Sequence, residues 1–133
     1  MVTATLDYAP HLAVKPMQPR YVSIDDLEWR DTSCLGRERK ILFQDKEHGL
    51  MTALGRWERD AELNFHERMD IEQSYTLEGR LVDEDGESRA GDSVLRPIGN
   101  RRRARAPEGA LLIAVFPRPS VFLEGPFAGQ AMV

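Results

Sequence analysis

Turn residues punctuate this chain too often for a long helix to form. From Tyr21 onward, short apolar or alternating runs are separated by Gly, Pro, Asp and Asn at intervals of roughly ten residues, the spacing of an all-β sandwich or barrel. Only Ser23, followed by Asp25, Asp26 and Leu27, marks a helical turn, because Ser can cap it and acidic groups suit its N-terminal dipole. The run 39–43 reads as a strand, 45–49 as a turn and 50–57 as the returning strand, with Thr52, Leu54 and Arg56 on one face of the pleat. A second hairpin comes from 74–77 and 80–82, which flank Glu78 and Gly79 and lead into the tight turn Asp83-Glu84-Asp85-Gly86. Gly91-Asp92 is another turn, 93–96 a strand, 97–99 a bend, and 110–116 a nearly all-apolar strand that must be buried on at least one face.

The ends differ from this middle. Residues 1–20 contain Pro10, Pro16 and Pro19 without sustained periodicity, so they read as an extended arm that could cross to a neighbouring subunit. After the last apolar strand, two prolines precede Val121 and two glycines follow it, and Phe122 and Phe127 require a surface to pack against. The division is therefore an arm at 1–20, one barrel at 21–123 and a tail at 124–133. One domain is also what 133 residues allow.

Charge narrows the partners. A formal net charge of -4 repels a phosphate backbone and argues against nucleic acid. The dense run Arg101, Arg102, Arg103 and Arg105 lacks interleaved aromatics; on a strand, 101, 103 and 105 share one face and form a solvated edge, while Arg102 turns inward. Cys34 is the single cysteine, which excludes an internal disulfide and a cysteine-built zinc site and fits a reducing compartment. No stretch reaches the length of a membrane span, and Asp7, Pro10 and His11 interrupt the N-terminus where a signal peptide needs an apolar run. The expectation is a soluble cytoplasmic protein.

Two segments carry a family resemblance. In HERMDIEQSYTLEG, at 66–79, His66, Glu72 and Gly79 fall on the first signature of the cupin superfamily, a His-x-His pair followed by Glu and then Gly. In GDSVLRPIGNRR, at 91–102, Gly91, Pro97 and Gly99 fall on the second, which ends in a His. The surrounding sequence most resembles bacterial cupins related to the zinc-binding cupin domain of anti-sigma factors and to acetylacetone-cleaving dioxygenases, over residues 21–123. The resemblance implies a jelly-roll barrel, or double-stranded β-helix, that pairs into a homodimer through strands or terminal arms. It also implies a site at the barrel mouth in which three His and one Glu hold zinc, iron or manganese.

This chain departs from that pattern at two ligands. Arg68 stands where the second His of the first signature belongs, and Arg102 where the His of the second belongs. A guanidinium has no lone pair to give and repels a cation. The pocket His66, Arg68, Glu72 and Arg102 then reads as a metal-free site that clamps a small anion through bidentate hydrogen bonds. Alternatively, Arg68 pairs internally with Glu72 or Asp70 and Arg102 belongs to the solvated run. A metal-dependent dioxygenase or lyase, using His66 and Glu72 with unorthodox ligands to a single Fe, Zn or Mn ion, is the competing function. His66 beside Glu72 suits either proton transfer or a core histidine held in place, so no catalytic residue is assigned. Trp29, Trp57, Tyr75 and Phe116 read chiefly as core, His11 and His48 as solvated loop residues, and Cys34 as a structural thiol.

Overall fold

The computed structural model describes residues 19–45, 50–118 and 120–131. Most of the proline-rich arm, the turn at 46–49, His11 and His48 lie outside these residues. Ten strands follow in chain order: β1 (Arg30–Asp31), β2 (Arg37–Gln44), β3 (Met51–Trp57), β4 (Ala61–Glu67), β5 (Glu72–Asp83), β6 (Gly86–Arg89), β7 (Ser93–Arg96), β8 (Arg101–Ala106), β9 (Ala110–Phe116) and β10 (Val121–Phe122). They form one antiparallel sheet in the order β1-β2-β3-β9-β5-β8-β4-β10, with β6 and β7 both paired to β5. The sheet curls upon itself as a jelly roll. One leaf contains β1, β2, β3, β9, β7 and the first half of β5; the other contains β10, β4, β8, β6 and the second half of β5.

β5 makes the corner between the leaves. The two strands expected at 74–77 and 80–82 are a single strand of twelve residues. A bulge between Thr76 and Glu78 and a positive φ of 71° at Gly79 bend it, so the break read from the sequence is a change of leaf and not a chain reversal. Gly109 approaches closely here, and its carbonyl oxygen accepts a 3.1 Å hydrogen bond from the Arg80 N–H. Any Cβ on residue 79 would collide with that carbonyl.

β4, which the turn pattern did not mark, supplies the inner wall. Ala61, Leu63 and His66 are buried, and a register shift between Leu63 and His66 lets the inward face change parity. β8 alternates strictly, with Arg102, Ala104 and Ala106 inside and Arg101, Arg103 and Arg105 outside. The core combines Trp57, Leu63, Leu81, Leu112 and Phe122 with small Ala61, Ala104, Ala106 and Ala110, whose short side chains let the leaves approach.

Phe122 is almost fully buried, and the ring of Phe127 lies 6.1 Å from it. The chain around them is fixed by hydrogen bonds from Leu123 N to Phe65 O and from Phe65 N to the Glu124 carboxylate. Arg103 grips that carboxylate through two bonds of 2.7 and 2.6 Å. Tyr75 differs from its expected place in the core: it is 44% exposed on the outer face of β5. Trp29 lies beneath the Arg56 guanidinium, 4.0 Å from its ring centroid, and the one-turn helix after Ser23 is a 3-10 turn, Ile24–Asp26, without a side-chain cap.

The close approach at the corner predicts a graded effect. Gly91→Ala, at φ 93° in open space, should cost about 1 kcal/mol through backbone strain alone. Gly79→Ala adds a backbone collision and should cost more than about 3 kcal/mol, read as the difference in urea midpoints.

Candidate functional site

The barrel interior is unusually cationic. A cavity of about 70 Å³ is lined by Arg37 and Arg39 from β2, Arg68 just beyond β4, Glu72 at the start of β5 and Arg102 from β8. Its apolar wall includes Met51, Ala53, Trp57, Leu112 and Phe116. The volume accommodates several waters or a small organic molecule and falls short of drug-sized pockets.

Strand register explains how these groups meet. Glu72 lies opposite Arg96 across β5 and β7, and His66 opposite Arg102 across β4 and β8. Because β5 turns its corner at Gly79, the carboxylates at its two ends reach the same guanidiniums. Arg96 Nη2 lies 2.8 Å from Asp83 Oδ2, with its Nε 3.8 Å from Glu72 Oε1. Arg102 spans the same pair, 3.3 Å from Asp83 Oδ2 and 3.9 Å from Glu72 Oε1. Arg68 Nη1 binds Glu72 Oε2 at 2.9 Å and donates to the Ser120 hydroxyl at 2.7 Å.

Arg68 and Arg102 are each 4% exposed. Burial, then the neighbouring Arg68 charge, pushes the Arg102 pKa down to about 9, which leaves it a cation at neutral pH. Burial also lowers Arg68, against the pull of Glu72, and lowers Arg37. Arg37 is held differently, with its guanidinium 4.5 Å above the Trp57 ring centroid.

Of the four residues singled out in sequence, Arg68, Glu72 and Arg102 share the cavity wall. His66 is not among the lining residues: it is fully buried on β4 beside Arg102. Its Nδ1 lies 2.8 Å from the Asn64 carbonyl, an acceptor only, so the proton sits there and Nε2 keeps its lone pair. Nε2 has no hydrogen-bond partner among the described residues. Burial, followed by the charges of Arg68 and Arg102, pushes the His66 pKa down to about 2.

Sequence reading missed Arg96, Asp83, Arg37, Arg39 and Ser120. Alternation in β7 was a usable signal, since it turns Arg96 inward together with Val94. Asp83 read as the first residue of a turn, and only the bend in β5 brings it inside.

These residues do not fit a divalent cation. Among the described residues, no three His, Cys, Asp or Glu side chains gather as a metal site. Glu72 already receives Arg68 on one oxygen and faces Arg96 and Arg102 with the other, and His66 lies off the cavity wall. A dication placed there would face several buried guanidiniums.

Residues 17–121 match the model of the ChrR cupin-like domain. The chain belongs to that family. No curated protein matches this cupin in sequence. Among solved structures it is similar to an RmlC-like cupin protein from Ralstonia eutropha, with a TM-score of 0.78 and 14% identity over 90% of this chain and 81% of that one. An acetylacetone dioxygenase from Acinetobacter johnsonii gives a TM-score of 0.75 at 15% identity, over 88% and 86%. The Rhodobacter sphaeroides SigE complex with the anti-sigma ChrR gives 0.60 at 16%, over 80% of this chain and 54% of that one. At these identities the likeness shows the fold.

The state of His66 has a measurable sign. Its folded pKa lies below the ordinary value of 6.5, so between the two values the unfolded chain binds the extra proton. Its contribution is complete above pH 6.5 and lost as pH falls toward 2. Urea unfolding should show His66 removing up to about 1.4 kcal/mol of stability per pH unit below 6.5. His66→Gln should flatten that part of the slope.

Proposed function

We propose that this cupin binds a small anion inside its barrel, using guanidinium groups where the cupin signatures call for metal-ligating histidines. The observation that carries this reading is an excess of buried positive charge. Arg68, Arg96 and Arg102 share Glu72 and Asp83, Arg37 and Arg39 add two further guanidiniums to the cavity wall, and each of the five has a buried Nε without a hydrogen bond among the described residues. Buried charged donors of this kind favour a ligand that brings acceptors and negative charge together. With the whole chain at -4, the attraction belongs to the interior and not to the general field.

The same arrangement favours binding over proton transfer. Glu72 is engaged by Arg68, and His66 stands off the cavity wall as a very weak base. Neither presents a free proton acceptor to a molecule in the cavity. The competing metal reading would need both of these groups released from those surroundings.

Thermal-shift screening of small carboxylates and phosphate, followed by titration calorimetry, tests the proposal. At least one anion should raise Tm and bind stoichiometrically, and Arg102→Gln should weaken it by about tenfold or more. Arg102 is the milder substitution because Arg96 still covers Asp83; Arg68→Gln, which strips the closest partner from Glu72, is the second variant. Absence of any shift across the panel at millimolar concentration contradicts the proposal.

A further inference from the structure

The cationic groups of the cavity come from both leaves. Arg37 and Arg39 project from β2, in the leaf that also contains β3 and β9, whereas Arg68 and Arg102 belong to the β4 and β8 side. Both pairs line the same cavity, and Arg37 is near enough to lower the Arg68 pKa electrostatically. The lining between them is largely apolar, with Met51, Ala53, Leu112 and Phe116 among its residues.

We infer that the ligand is a short aliphatic dicarboxylate that bridges the two leaves, with one carboxylate toward Arg68 and Arg102 and the other toward Arg37 and Arg39. This rests on the anion-binding reading and specifies its chemical class. Three features select it. Four arginines and one carboxylate line the cavity, and the adjoining Arg96 and Asp83 add one charge of each sign, so an excess of three positive charges remains and one negative charge on a ligand would leave more of the cluster uncompensated than two. Separation of the donors onto two leaves suits charges at two ends of a molecule better than charges on a single phosphorus centre. Apolar lining and a volume of about 70 Å³ suit a short hydrocarbon link and exclude a long one.

The two arginine pairs are not equivalent. Arg68 and Arg102 are already engaged by Glu72, Asp83 and Ser120, and form a preorganised end. Among the described residues, the charges that act on Arg39 are the like charges of Arg37 and Arg30, and Arg37 rests on Trp57 beside the Cys34 thiol, with no carboxylate paired to either. The β2 end is therefore where a second carboxylate gains most, and Arg37 is the residue that should discriminate dicarboxylates from monocarboxylates.

Calorimetric titration at constant ionic strength with malonate, succinate, butyrate and inorganic phosphate tests the inference on the full chain. Malonate or succinate should bind at least about tenfold more tightly than butyrate and than phosphate. Arg37→Gln should bring the dicarboxylate-to-butyrate ratio close to one, with far-UV circular dichroism reporting that the variant is folded. Equal affinity for butyrate and the dicarboxylates overturns the dicarboxylate inference and leaves anion binding standing. Phosphate binding most tightly also overturns it, in favour of a single compact anion. No binding of any of the four removes both readings, and the wild-type comparison decides even if Arg37→Gln fails to fold.

Discussion

Glu72 and Asp83 stand at opposite ends of one strand, and both are held by the guanidiniums of Arg96 and Arg102. That shared grip requires the bend at Gly79, which in turn requires the close approach of Gly109. With Arg68 completing the coordination of Glu72, the network joins β5, β7, β8 and the segment beyond β4. In this chain, ion pairs thus link strands of both leaves at the positions where the cupin signatures place metal ligands.

Such a replacement has electrostatic consequences. Ion pairs out of water recover their desolvation cost only when each charge is well partnered. Here the carboxylates are outnumbered, and burial, reinforced by the neighbouring arginine charges, lowers the pKa of Arg102 and keeps His66 neutral. On the proposed reading, a positive interior within an acidic protein is a selective environment that disfavours a metal cation and favours an anion. Fold likeness to an acetylacetone dioxygenase, an RmlC-like cupin and the SigE–ChrR complex is compatible with this, because function belongs to the site and one barrel supports many.

Much of the barrel was legible from local chemistry. The turn at Gly91-Asp92, the apolar run of β9 and the alternation that turns Arg102 inward all depend on residues close in sequence. What stayed hidden depends on distant contacts. β5 looked like two strands because Gly79 is normally punctuation, and only the approach of Gly109 shows that it is a corner. Asp83 looked like a turn residue for the same reason, so its part in the arginine cluster could not be seen. Family spacing located Arg68, Glu72 and Arg102, but it said nothing of Arg37 and Arg39, which enter from β2. Tyr75 lies outside the core because its face of β5 follows from sheet packing and not from its own hydrophobicity.

The central claim is that guanidinium groups, and not a metal, define the chemistry of this barrel. It is tested most directly by the metal content of untagged protein, measured by inductively coupled plasma mass spectrometry after exposure to iron, zinc, manganese, nickel and copper and then dialysis. The account predicts far less than one metal per chain, unchanged by Glu72→Gln. Close to one metal per chain, lost when Glu72 or His66 is replaced, would contradict it.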